Sequence, residues 1–180
     1  MVHRSLIPPI LAVALAAGVV VSVVRSGPVT YGSFWESHRA IDSVTLCRLD
    51  SNPSHATGQT PIFRIGDTGY AIIQPPALLA KESHIELLRL MRDNHAHPSP
   101  VWSECLLSPG IGCIFYDRHQ HEVGRMAVCL SCGDWQMGGE THAKTVSFWD
   151  LHSQVLTYFQ GVLLDDDDIQ RLKPFTKYQR

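Results

Sequence analysis

The chain has 180 residues, enough for one ordinary domain and a short N-terminal appendage. Its hydrophobic share of 44% is incompatible with wholesale disorder. A formal net charge of −2, with no Lys/Arg cluster and no aromatics interleaved with cations, excludes an electrostatic case for nucleic acid as a partner.

The first element is apolar. Ser5 to Val24 gives 20 residues without a charge, bracketed by Arg4 and Arg25. At ~1.5 Å rise per residue such a helix covers the ~30 Å hydrocarbon core of a bilayer. Pro8 and Pro9 fall in its first turn, where missing N–H groups cost little. The expectation is a transmembrane anchor over residues 1–25. It places the C-terminal domain in the periplasm on a single-pass inner-membrane protein. The alternative is a cleaved signal peptide, with Ala14-Leu15-Ala16 as the cleavage site and a secreted product. Residues 26–40, with the breaker pair Gly27-Pro28, read as a linker.

From residue 41 to 180 the pattern predicts one extracytoplasmic α+β domain: a small, mostly antiparallel sheet with two or three helices. Ser43–Leu49 is a half-buried strand. Ile62–Ile65 and Tyr70–Ile73 flank Gly66-Asp67-Thr68-Gly69 as a hairpin, with Pro75-Pro76 ending the second strand. Residues 77–93 are helical, with Ser83 and Glu86 fitting a capping box, Ile85, Leu88 and Met91 at three-residue spacing, and Leu87 and Leu90 widening the stripe toward one core face. Asn94 and Pro98 stop that helix. Cys113–Tyr116 and Val123–Leu130 form a second hairpin around Asp117–Glu122. Thr145–Phe148 leads into a helix from about Trp149 to Leu163, with Ser147 as cap and Leu151, Val155, Tyr158 and Val162 on one face. Asp165–Asp168 introduce a short last helix ended by Pro174; as a bare acidic run they serve its positive end better than they would hold calcium.

The residues able to carry chemistry are mainly sulfurs. Five cysteines allow two disulfides and a leftover thiol, a metal site, or neither. Cys129-Leu130-Ser131-Cys132-Gly133 has the spacing of a metal knuckle. With Cys105 and Cys113 it gives Cys-x7-Cys-x15-Cys-x2-Cys, a candidate zinc set of Cys105, Cys113, Cys129 and Cys132 in which only one pair has knuckle spacing. In an oxidising compartment Cys105, Cys129 and Cys132 are equally candidates for disulfides. A redox pair would want Cys129 at a helix N-terminus, and the residues after Gly133 form a poor helix. The pairs His95/His97 and His119/His121 lie in polar stretches and lack the ligand number that a metal site requires.

Over residues 40–137 the chain resembles a family of uncharacterised small bacterial exported proteins, often lipoproteins or singly anchored. The resemblance rests on Cys105, Pro109-Gly110-Ile111-Gly112, Ile114-Phe115-Tyr116-Asp117 and Val128-Cys129-Leu130-Ser131-Cys132. Leu130 replaces an aromatic, and Cys113 inside the strand departs from the pattern. The resemblance implies an α+β domain and a Cys105/Cys129/Cys132 cluster, and it implies no reaction. Three functional expectations follow. The first is a non-catalytic envelope module, stabilised by cysteine cross-links, that binds a protein or cell-wall partner; an exposed apolar or aromatic patch around Trp135 or Trp149 would favour it. The second is a zinc-binding domain. The third is a thiol-disulfide oxidoreductase at Cys129 and Cys132.

Overall fold

A computed structural model describes residues 29–50, 52, 61–98 and 108–173. The apolar segment 5–24, Cys105 and Pro174 lie outside these residues, and among the described residues no helix is long and apolar enough to cross a membrane. The α+β class is as expected, with more strands than a small sheet. Seven antiparallel strands run in the order β2-β3-β1-β4-β5-β6-β7. They are β1 (Ile41–Leu49), β2 (Ile62–Ile65), β3 (Thr68–Leu78), β4 (Ile111–Asp117), β5 (Glu122–Cys129), β6 (Asp134–Gly138) and β7 (Ala143–Ser147). The helices are α1 (Tyr31–Ser37), α2 (Lys81–Ala96), α3 (His152–Val162) and α4 (Asp167–Gln170).

Strand alternation divides the interior into two cores. Val44, Leu46, Ile111, Phe115 and Val128 face α2 and α3 and pack on Leu87, Leu90, Val155 and Phe159. Cys47, Leu49 and Ala127 face the other way, onto Phe63, Ile65 and Tyr70 of the β2–β3 hairpin. That hairpin curls across the sheet until the Gly66 N–H donates to the Gly139 carbonyl at 3.0 Å. Each buried side chain of this size contributes roughly 1.5–3 kcal/mol.

Several boundaries differ from the sequence reading for physical reasons. Residues 31–37 of the expected linker are helical and docked. Thr30 and Ser33 form a reciprocal capping box (Ser33 N–H to Thr30 Oγ1, 3.2 Å; Thr30 N–H to Ser33 Oγ, 2.7 Å). Phe34 is fully buried against Phe115, ring centroids 5.1 Å apart. Pro75-Pro76 does not end β3. The β1 register steps from Leu46↔Ala77 to Arg48↔Gln74, so the two prolines oppose Cys47 alone in a bulge, where the ladder is already broken. β2 pairs only as far as Ala71, and among the described residues the far half of β3 has no outer partner strand. α2 starts at Lys81 without a side-chain cap, and Glu86 binds Arg89 instead of closing a capping box. Its buried stripe is His84, Leu87, Leu90, Met91 and Asn94; Ile85 is 54% exposed. α3 likewise buries His152, Val155, Leu156 and Phe159, a face rotated from the expected one.

Candidate functional site

The cysteine turn closes the β5–β6 hairpin. Gly133, at φ +69°, lets its N–H return to the Cys129 carbonyl at 3.0 Å. Its own carbonyl accepts the Phe148 N–H at 2.7 Å and the Ser147 hydroxyl at 3.4 Å. Trp149 packs over the glycine, where a Cβ would meet its indole at 3.3 Å. His152 Nε2 donates to the Leu130 carbonyl at 2.7 Å, which fixes the tautomer. Its ring stacks on Phe148 at 5.9 Å and 13°. Burial holds the His152 pKa below its ordinary value, the bond to Leu130 opposing in part.

The four described cysteines do not converge. Cys132 is half of a disulfide, whereas Cys47, Cys113 and Cys129 are buried free thiols. Cys113 lies in the helix-side core, and Cys129, one residue past Val128 of that core, faces the hairpin side within electrostatic reach of Tyr70. Of the expected zinc set of Cys105, Cys113, Cys129 and Cys132, Cys105 lies outside the described residues, and the other three do not gather at one point. A half-cystine offers no thiolate, and Cys113 and Cys129 point to opposite faces of the sheet. Among the described residues no three His, Cys, Asp or Glu side chains group as a metal would require. Cys129 and Cys132, which a redox pair would join, are in different states, and Cys129 ends a strand rather than beginning a helix. Burial pushes the Cys47 thiol up to about 11 and the Cys113 thiol well above its ordinary range. Of the two tryptophans around which an exposed patch would favour a binding module, Trp135 is 1% exposed and packs on Phe148 at 4.9 Å, and Trp149 is partly buried over Gly133.

The histidines serve other ends. His95 stacks on Trp35 (4.1 Å, 17°) and meets the Tyr31 hydroxyl at 3.0 Å through Nδ1, clasping α1 to the end of α2. His119 and His121 sit in the β4–β5 turn, where both backbone N–H groups donate to Asp117 Oδ1 at 2.8 and 3.0 Å. Two features had no local signal. Arg48 of β1 is nearly buried in an ion pair with Asp166, the N-cap of α4. Arg125 binds Glu122 (2.7 Å), Glu140 (2.7 Å) and the Arg64 carbonyl (3.0 Å), joining β5 to β2 and the β6–β7 turn. A shallow cleft of about 390 Å³ between α2 and α3 is lined by Glu86, Arg89, Ser153, Gln154, Thr157 and Tyr158. Arg89 there is already paired with Glu86 and Asp93.

Comparison with protein-family models, with curated proteins and with solved structures gave no match.

Proposed function

We propose that this chain is a non-catalytic module anchored in the inner membrane by residues 5–24, displaying its domain in the periplasm to a protein or cell-wall partner of the envelope. We propose also that a Cys105–Cys132 cross-link stabilises the domain. The observation that carries the reading is the docked α1. The described chain begins at Val29, five residues beyond the apolar segment. It enters a helix fixed in the core by Phe34, as a display module requires. The cross-link is supported by elimination, since the three other cysteines are thiols. Cys129 and Cys132 are buried, Cys129 within 3.4 Å of the Ser131 hydroxyl, and His152 is bonded to the Leu130 carbonyl, which favours a structural role over catalysis.

The test is membrane fractionation of cells expressing the full chain, followed by intact mass and thiol counting. The expected result is an uncleaved chain in the membrane fraction, two hydrogens lighter than the reduced mass. Three thiols should be alkylated after denaturation and five after reduction. A shortened, soluble product would remove the anchor. Five thiols without reductant, together with one bound zinc, would replace the cross-link by the metal reading.

A further inference from the structure

The two ends of the sheet differ in where they stand relative to the apolar segment. One end gathers the starts of β1, β5 and β7 and the ends of β4 and β6, since Ile41 pairs with Asp117, Tyr116 with Glu122, and Gly138 with both Arg125 and Ala143. At the other end Arg48 pairs with Ile111, Ile111 with Val128, and Asp134 with both Cys129 and Ser147. The chain enters the domain at the first end. Val29 lies directly on Gly139, where an added Cβ would sit 2.8 Å from the Val29 Cβ. α1 then runs into the core, Phe34 filling a slot in which a Cβ on Gly124 would lie 2.3 Å from its ring. The His95–Trp35 stack and Lys144, 5.1 Å above the Tyr31 ring, hold the same helix from two other elements. The entry point is therefore fixed to the body of the domain.

Only residues 26–28 separate Arg25 from Val29. Four Cα–Cα steps reach ~14 Å at most, less than the ~23 Å length of the central strands. We infer that the first end of the sheet faces the lipid headgroups and that the Cys129–Gly133 turn points away from them into the compartment. This inference rests on the anchor reading above. The headgroup-facing surface is formed by the β6–β7 turn (Glu140, Thr141, His142) and the β4–β5 turn (Arg118, His119, His121). Its charges are mixed: Arg118, Arg125 and Lys144 stand among Asp42, Asp117, Glu122 and Glu140. The short connection, rather than attraction to anionic lipid, sets the approach.

The experiment uses the full chain in phosphatidylcholine vesicles carrying a nitroxide on the lipid headgroup. A fluorophore is placed on Thr141→Cys at the near end or on Asp168→Cys at the far end; the free thiols at Cys47, Cys113 and Cys129 are buried and do not compete. The expected result is severalfold stronger quenching at position 141 than at 168, unchanged when anionic lipid is added. Equal quenching in protein that floats with the vesicles overturns the orientation and leaves the anchor standing. Protein that does not float overturns both.

Discussion

At Gly124 a single hydrogen atom decides whether α1 can dock. A methyl group there would overlap the Phe34 ring at 2.3 Å, and the ring is walled in by Phe115 and Trp35. Gly124→Ala is expected to cost about 1–3 kcal/mol and Phe34→Ala about 3–5 kcal/mol. In the double variant the clash vanishes, so urea denaturation of all four proteins should give a total well below the sum. His152 acts through its proton. Its folded-state pKa is depressed, so between that value and the ordinary value of about 6.5 the unfolded chain binds more protons. Its contribution to stability is complete above that ordinary value and is lost as pH falls through the folded one. His152→Gln keeps a donor for the Leu130 carbonyl and removes the titration. Urea midpoints between pH 7.5 and 5 should fall less steeply in the variant; equal slopes would refute the assignment. The depressed pKa of His95 acts in the same direction and remains in both proteins.

Among the elements, β3 shows how a pattern can be read correctly in composition and wrongly in extent. A proline pair normally ends a strand, because two ladder N–H groups disappear. Here the pair falls in a bulge on a half-strand that has no outer partner among the described residues, so it interrupts little of the pairing seen there and removes two donors from that edge. Restoring both N–H groups with Pro75→Thr/Pro76→Thr should raise concentration-dependent association, measured by light scattering, while the fold is retained. No change in association would mean that another feature guards the edge. The helix faces illustrate a different limit. Ile85 and Tyr158 fit an apolar stripe by spacing, yet α2 centres its buried face on Leu87, Leu90 and Met91, one side of the expected stripe, and α3 on Val155, Leu156 and Phe159. Periodicity gives the existence of a face; the partner surface selects its centre. The β6–β7 hairpin escaped for a related reason. The strand residues of β7, Ala-Lys-Thr-Val-Ser, are short and half-exposed, and only pairing to β6 identifies them.

For the whole molecule the most telling contact joins its first strand to its last helix. Arg48 and Asp166 form an ion pair with side chains 10% and 9% exposed, and Arg48 also donates to the Gly110 carbonyl. Asp166→Asn keeps the cap on the Ile169 N–H but leaves Arg48 buried without its countercharge. A loss of about 3–5 kcal/mol is expected in chemical denaturation. A loss below about 1 kcal/mol would mean that water reaches the pair and screens it. Local order was legible in the sequence where one segment could state it alone: the first strand, the Gly66–Asp67 and Asp117–Glu122 hairpins, two long helices and the acidic start of a third. The apolar run 5–24 and the cysteine spacing were legible as possibilities, because hydropathy and spacing are properties of the chain itself. Which face each described sulfur takes, that Trp135 is core, and that residues 31–37 of the supposed linker form a docked helix were decided only by tertiary structure. Each depends on a partner distant in sequence: Cys113 on the helix layer, Cys129 on the hairpin side, Trp135 on Phe148, and Phe34 on the missing side chain of Gly124.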